Sequence, residues 1–127
     1  MAIKPPRILI VDDDPDICSL LTSMLSREGF PVCTAEDGPS ALEKIARCDF
    51  DLLITDIGLP PPIDGIEMVR RARKHHPELR SLFISGGRPA QWDDPENDDF
   101  VAKPFHEREL VGCIWELFSR RMPRGVD

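Results

Sequence analysis

The sequence predicts an α/β fold in which a five-stranded parallel sheet carries helices on both faces. Short aliphatic runs alternate with segments of helical periodicity, and turn residues separate them, an order that is typical of a doubly wound sheet. The 127 residues are 41% hydrophobic and 31% charged, an ordinary globular balance. We find no internal repeat or linker, and we therefore expect one domain over residues 1–127, with a core of about 6–121.

The predicted strands are short runs of aliphatic and β-branched residues, as expected of strands that are buried on both faces. In chain order they cover residues 7–11, 31–35, 51–55, 81–85 and 100–102.

Helix starts are marked by capping residues. Asp14 can cap the first helix, with Pro15 at its first position and Gly29 as its stop. Asp37 opens the second helix, and a proline-rich loop leads to the third. The predicted inner faces are Ile17, Leu20, Leu21, Met24 and Leu25; then Leu42, Ile45 and Ala46; then Ile66, Val69 and Ala72; and in the last helix Leu110, Val111, Ile114, Leu117 and Phe118.

The fourth crossover, residues 86–99, differs from the others. Its sequence, "GGRPAQWDDPENDD", contains two glycines, two prolines and five acidic residues, with little helical periodicity. We expect an irregular loop there, or at most a short helix.

Bulk composition excludes several classes of protein. The net charge of −7 disfavours direct binding of nucleic acid, which normally requires a basic face. No apolar run approaches the length of a membrane span, and the N-terminus lacks an apolar signal core, so a cytoplasmic location is expected. The four cysteines form no C-x-x-C pair, and we interpret them as reduced thiols that act as small hydrophobic residues.

Polar residues follow the predicted strands at their carboxyl ends. Asp12 and Asp13 follow the first strand, Asp56 the third, Ser85 ends the fourth, and Lys103 follows the fifth. Because these ends share one edge of a parallel sheet, the side chains should converge in one crevice. Converged carboxylates repel one another unless a cation such as Mg²⁺ (or Mn²⁺) lies between them.

The same crevice offers positive charge and hydrogen-bond donors to an anion. Lys103 supplies an ammonium group, Ser85 a hydroxyl, and Gly86 an exposed backbone N–H. This set favours phosphoryl transfer, in which positioning and charge neutralisation provide most of the catalysis, and an aspartate can serve as the nucleophile.

Several motifs together resemble the receiver domain of two-component response regulators. They are "ILIVDDDPDI", "DLLITDIGLP", the Asp64-Gly65 pair, "LFIS" and "VAKPF", and they occur in the family's order along nearly the whole chain. The resemblance implies a flavodoxin-like fold with strand order 2-1-3-4-5, as in the chemotaxis receiver. Residues 58–65 carry one residue more than the family pattern, within the triplet Pro60-Pro61-Pro62, and the stretch between Ser85 and Lys103 is shorter.

The resemblance also implies roles for the acidic residues. Asp56 corresponds to the phosphoacceptor, and Asp12 and Asp13 to the acidic pair that holds Mg²⁺, Asp13 directly and Asp12 largely through water. The backbone carbonyl of Gly58 corresponds to a further metal ligand.

Roles in phosphoryl binding and switching follow in the same way. Lys103 corresponds to the lysine that bridges to the phosphoryl group, with Ser85 and Gly86 beside it, and Lys103-Pro104 to a cis peptide bond. Ser85 and Phe100 resemble the switch hydroxyl and the switch aromatic, although Phe100 lacks the hydroxyl of the more familiar tyrosine.

The function implied is a Mg²⁺-dependent switch rather than an enzyme acting on other molecules. A sensor histidine kinase or a histidine phosphotransfer protein would donate the phosphoryl group to Asp56, and output would pass through contact with a further protein. We expect a monomer or weak dimer. Because the sequence ends soon after the last predicted helix, we expect no DNA-binding or enzymatic output domain.

Two alternatives remain open at this stage. The "ILIVDDD" stretch also resembles a haloacid-dehalogenase-type phosphatase, with Asp12 as nucleophile and Asp14 as acid/base, but the further acidic motif of that family is missing after Lys103. A receiver-like module that binds partners without phosphorylation is disfavoured because every site residue is present.

Overall fold

The computed structural model describes residues 4–86 and 97–119, which fold into alternating strands and helices. In chain order the elements are β1 (Ile8–Val11), α1 (Pro15–Arg27), β2 (Val32–Ala35), α2 (Gly38–Arg47), β3 (Leu52–Asp56), α3 (Gly65–Arg73), β4 (Arg80–Ser85), β5 (Asp98–Ala102) and α4 (Glu107–Ser119).

The five strands form one sheet in the order β2-β1-β3-β4-β5, and every neighbouring pair is parallel. The fold class predicted from the sequence pattern and the strand order implied by the resemblance are both confirmed. The chain leaves β1 toward β2 on one side and later returns to β3 on the other. The crevice between these two connections therefore opens at the carboxyl end of β1.

Two apolar layers cover the sheet, one on each face. The helices α1 and α4 pack on one face, and α2 and α3 on the other. The first layer contains Leu21, Leu25, Leu110, Ile114 and Leu117 from its helices, and the second contains Ala41, Ile45, Met68, Val69 and Ala72. The four residues of β1 are fully buried between the layers, which holds the strand end that precedes Asp12 in place.

Aspartate caps fix the starts of three helices. The side chains of Asp14, Asp37 and Asp64 accept hydrogen bonds from the first-turn N–H groups of α1, α2 and α3. Gly29 follows α1 with a φ of 93°, a conformation that favours glycine because it has no Cβ. These caps confirm the predicted helix starts at Asp14 and Asp37.

Some predicted inner residues lie outside the core. Leu20 is 45% exposed, because its position on α1 is turned about 100° from that of Leu21. On α2 the core residues are Ala41 and the predicted Ile45, whereas the predicted Ala46 is exposed. All four cysteines are free thiols, as predicted, but Cys33 and Cys48 are exposed, so the interpretation of these two as small hydrophobic packing residues is wrong.

The strand β5 begins at Asp98, two residues before the predicted start, and a buried ion pair accounts for this. The Arg73 guanidinium contacts the Asp98 carboxylate and donates a 2.9 Å hydrogen bond to the Leu79 carbonyl. The Ser81 hydroxyl also donates to Asp98, which is 2% exposed. We call the ion pair between Arg73 and Asp98 the Arg73–Asp98 pair. Together with the bonds to Leu79 and Ser81, it connects the end of α3 to β4 and β5. Most of the predicted irregular crossover, residues 87–96, lies outside the described residues.

The strand β2 forms one border of the sheet. The Lys44 ammonium of α2 donates a hydrogen bond to the Thr34 carbonyl on that border. Because no strand among the described residues lies beyond β2 in this sheet, the Thr34 carbonyl accepts its hydrogen bond from the Lys44 side chain instead of from a neighbouring strand.

Candidate functional site

Three carboxylates meet at the carboxyl end of the sheet. Asp12 and Asp13 follow β1 directly, and Asp56 is the last residue of β3, the neighbouring strand. One carboxylate oxygen from each of the three lies within 4.8 Å of the others. The convergence predicted from the strand ends is therefore present.

Asp12 is the buried member of the cluster, with 3% of its surface exposed. Its Oδ1 accepts a 2.9 Å hydrogen bond from the Asp14 backbone N–H, which fixes the orientation of the carboxylate. Burial raises the pKa of Asp12, and the charges of Asp56 and Asp13 act in the same direction. The hydrogen bond from Asp14 and the charge of Lys103 oppose this rise without cancelling it.

Lys103 brings a positive charge to the same place. Its ammonium nitrogen lies 3.1 Å from Asp56 Oδ2 and 3.7 Å from Asp12 Oδ2. The Lys103 backbone N–H donates a 2.8 Å hydrogen bond to the Ser85 carbonyl, and the Lys103-Pro104 peptide bond is cis, as expected. Burial lowers the pKa of Lys103, but the hydrogen bond to Asp56 and the two nearby carboxylates outweigh burial, so the pKa is raised overall.

The loop after Asp56 folds back onto the strand end. The Gly58 N–H donates a 3.1 Å hydrogen bond to Asp56 Oδ1, so each oxygen of this carboxylate has its own donor. At the far end of the loop, a Cβ on Gly65 would overlap the Asp56 carbonyl oxygen. Only glycine lets the start of α3 approach this closely.

The predicted hydroxyl and switch residues lie at different distances from the cluster. Ser85 is the half-buried last residue of β4, one position beyond Ile84, which is paired with Asp56. Gly86 follows it and is exposed. Phe100 lies three residues before Lys103, is half-buried, and packs against the layer of α2 and α3.

The donor set suits a hard divalent cation. Three carboxylate groups within reach of one point carry more negative charge than Lys103 alone can neutralise. Oxygen ligands and incomplete coordination by protein are what Mg²⁺ prefers, because it dehydrates reluctantly. The residues that could hold it are Asp12, Asp13 and Asp56, with the exposed Gly58 beside them.

Comparison with known proteins defines the class to which this site belongs. Residues 8–114 match the model of the family described as "Response regulator receiver domain". The chain is 38% identical over 115 residues to the response regulator receiver protein CpdR of Brucella abortus, covering 87% of this chain and 95% of that protein. It is 36% identical to the transcriptional regulatory protein TrcR of Mycobacterium tuberculosis, covering 92% of this chain but only 47% of that protein.

A solved structure of a response regulator is also similar to this chain. The response regulator protein TrrA of Thermotoga maritima, crystallised in complex with Mg²⁺ and BeF, is 33% identical and superposes with a TM-score of 0.79. The alignment covers 88% of this chain and 98% of that one. The present chain belongs to the response regulator receiver domain family.

Family membership bears on the haloacid-dehalogenase alternative. Receiver domains are phosphoacceptors in two-component signalling, and the comparisons give no support to the haloacid-dehalogenase alternative. Within residues 4–86 and 97–119, no helix has both the length and the apolar character needed to cross a membrane.

Sequence reasoning missed two features beside the site. The Pro61-Pro62 peptide bond is cis, and nothing in the sequence distinguishes it from Pro60-Pro61. The close approach of Gly65 to Asp56 was also missed. Its signal was present, since Asp64-Gly65 is a capping residue followed by glycine at the start of a helix.

Proposed function

We propose that this chain is a phosphorylation-activated switch in which Asp56 accepts a phosphoryl group from a phosphohistidine. The observation that carries the proposal is the arrangement around the Asp56 carboxylate, where Gly58 holds Oδ1 and Lys103 holds Oδ2. The carboxylate is thereby oriented, and it lies beside two further carboxylates that need a cation.

In the proposed step, an Asp56 oxygen attacks phosphorus and forms a P–O bond while the P–N bond to the donor histidine breaks. The electron pair of that bond returns to the imidazole nitrogen, and the product is an aspartyl phosphate. Lys103 moves from the Asp56 carboxylate to the phosphoryl oxygens. The Ser85 hydroxyl and the Gly86 N–H donate to the same oxygens from the end of β4.

Asp12, Asp13, Asp56 and the Gly58 carbonyl would hold Mg²⁺ (or Mn²⁺). When bound, the cation neutralises charge between the donor phosphoryl group and the acceptor carboxylate. Asp13 is the exposed member of the pair and would bind directly, while the buried Asp12 would act largely through water.

Phosphorylation would bias the domain between two conformations. The new group adds roughly −2 charge and three acceptor oxygens at the sheet edge. Ser85 moves toward it, and Phe100, which is only half-buried, turns into the space released. The changed face near β5 then binds a downstream protein.

The proposed partners are a sensor histidine kinase or a histidine phosphotransfer protein, and an unidentified target protein. Support comes from family membership and from the Mg²⁺–BeF complex of TrrA. We further propose a monomer or weak dimer in the cytoplasm that makes no direct contact with nucleic acid, in keeping with the net charge of −7.

The test is incubation with Mg²⁺ and a small acyl-phosphate donor, followed by intact-mass measurement. The wild-type chain should gain the mass of one phosphoryl group, and Asp56→Asn should gain none. Asp49→Asn is the matched control, because Asp49 is exposed and precedes β3, at the opposite end of the sheet.

Peptide mapping with Asp12→Asn separates the rival mechanisms. Label that remains on Asp56 in this variant, at a reduced level, supports the switch. Label on Asp12 in the wild-type chain, together with steady turnover of phosphate esters, would contradict it.

A further inference from the structure

We propose that a packing contact between Gly38 of α2 and Ile63 positions the phosphoacceptor loop, residues 57–64. This inference rests on the proposed function, because it concerns how the loop that starts at Asp56 is kept in its productive geometry. Gly38 and Ile63 lie outside the acidic cluster, so they would act as positioning residues rather than as ligands or catalysts.

The contact itself leaves no space for a side chain at position 38. A Cβ on Gly38 would lie 2.6 Å from Ile63 Cδ1 and closer still to Cγ1. Ile63 is 6% exposed and belongs to the apolar layer under α2 and α3, so it has little freedom to rotate away. The first turn of α2 therefore rests directly on the loop.

Hydrogen bonds join the two ends of the loop beside Asp56, the last residue of β3. The Gly65 N–H donates a 2.8 Å hydrogen bond to the Ile57 carbonyl, and the Leu59 N–H donates a 3.0 Å bond to the same oxygen. Gly65 also contacts the Asp56 carbonyl, as described above. The loop thus leaves β3 and returns to the end of that strand within nine residues, with Leu59 and Ile63 as its buried side chains.

A shift of Ile63 would consequently be passed to Gly58. Gly58 lies between the joined ends of the loop and the buried Leu59, and its N–H holds Asp56 Oδ1. Its carbonyl is the backbone ligand proposed for the cation. Displacing this residue by a fraction of an ångström would misplace both the attacking carboxylate and the metal, and misplacements of this kind can reduce rates severely.

The experiment is a size exchange across the contact. Gly38→Ala adds the Cβ that Ile63 excludes, Ile63→Ala removes the obstructing atoms, and the double variant combines the two changes. We measure the rate of labelling by the acyl-phosphate donor at saturating Mg²⁺, the Mg²⁺ affinity by calorimetry, and the free energy of unfolding.

Gly38→Ala should label roughly ten times more slowly than the wild-type chain and bind Mg²⁺ several-fold more weakly. Ile63→Ala should show a smaller loss of labelling rate and of Mg²⁺ affinity than Gly38→Ala. The double variant should label faster than Gly38→Ala. In the double variant, Ile63→Ala is a second change that is destabilising by itself, and yet it should recover the labelling rate lost in Gly38→Ala. Such a recovery is not expected of residues that only contribute stability.

Two controls separate positioning from general destabilisation. Gly112→Ala makes the same helical substitution in α4, where nothing lies within 4 Å of the new Cβ, and it should leave labelling unchanged. Ile114→Ala opens a cavity in the layer on the other face of the sheet and should lower stability without slowing labelling.

A wild-type labelling rate in Gly38→Ala, or a double variant slower than Gly38→Ala, would overturn the positioning role. If Gly38→Ala does not fold, Ile63→Ala decides: unchanged Mg²⁺ affinity and labelling in that variant also overturn it. Failure of the wild-type chain to take up any label would instead remove the proposed function, so the two failures are distinguishable.

Discussion

The Lys103 ammonium lies 3.1 Å from the Asp56 carboxylate, although 47 positions separate the two residues in the sequence. Asp56 ends β3 and Lys103 follows β5, and these two strands are not neighbours because β4 lies between them. Lys103 therefore reaches across the end of β4, past Ser85, whose carbonyl anchors the Lys103 backbone. In the proposed function, the ammonium would follow negative charge from the Asp56 carboxylate to an attached phosphoryl group.

Replacing Lys103 with methionine should separate metal binding from phosphoryl transfer. Loss of the ammonium removes repulsion of a cation, so Mg²⁺ affinity should rise by about three- to tenfold. The phosphoryl group would also lose its contact with the Lys103 ammonium, and this loss should slow labelling of Asp56 by roughly a hundredfold. Calorimetric titration and intact-mass kinetics measure the two effects, and Lys74→Met, an exposed lysine after α3, is the control. Weaker Mg²⁺ binding in Lys103→Met would contradict this account.

Asp12→Asn should stabilise the chain when metal is absent. The substitution removes a buried charge that repels Asp13 and Asp56, and the amide oxygen can still accept the hydrogen bond from Asp14. The free energy of unfolding in a chelator should rise by about 1 kcal/mol. Added Mg²⁺ should then raise the melting temperature of the wild-type chain more than that of the variant.

The comparison for this prediction is Asp49→Asn, which changes an exposed residue away from the cluster. It should alter neither the stability in chelator nor the response to Mg²⁺. Equal stability of Asp12→Asn and wild type in chelator would show that the cluster is not strained by its own charge.

Breaking the Arg73–Asp98 pair should be costly. Arg73→Met removes the Arg73 guanidinium from the buried Asp98 carboxylate, and the loss of one member of a buried ion pair costs about 3–5 kcal/mol. Urea unfolding measures the change. Arg71→Met is the matched control on the same helix, because Arg71 is exposed and pairs only with Glu67 among the described residues; its loss should be within about 1 kcal/mol. Similar stabilities of the two variants would disprove the structural importance of the buried pair.

The ion pair between α1 and α4 should give a small stability that depends on pH. Hydrogen bonding from Arg27 lowers the pKa of Glu107 below its ordinary value of 4.5. A carboxyl group with a lowered pKa in the folded state contributes stability above its unfolded pKa and loses it as the pH falls through the folded value. Glu107→Gln should therefore lower the melting temperature slightly at pH 7, and the difference should vanish in acid.

Thermal melts at several pH values test this, and added salt should shrink the difference because both groups are partly exposed. Glu43→Gln is the control, since Glu43 is exposed and its contact with Arg47 is longer, at 3.7 Å. A difference that grew as the pH fell would contradict the assignment.

The residues of the acidic cluster were predictable because their placement is a matter of topology. Asp12, Asp56 and Lys103 each follow a short aliphatic run, and parallel strands deliver their carboxyl ends to one edge. The caps at Asp14 and Asp37 were predictable for a similar reason, since capping depends on neighbours two or three residues away.

What was missed depends on contacts that are remote in sequence. Asp98 was interpreted as part of an acidic loop, and only Arg73, 25 positions earlier, turns it into a buried strand residue. Gly38 and Ile63 are likewise far apart along the chain, and no periodicity indicates that they touch. Leu20 fits a helical stripe by residue type, yet its angular position on α1 leaves it in solvent.

The Lys44 ammonium on the Thr34 carbonyl also bears on self-association. A second chain that paired with β2 would have to displace the Lys44 ammonium from the Thr34 carbonyl. It could form backbone hydrogen bonds with a strand of only four residues. The Lys44 contact therefore disfavours the addition of a further strand at the β2 border.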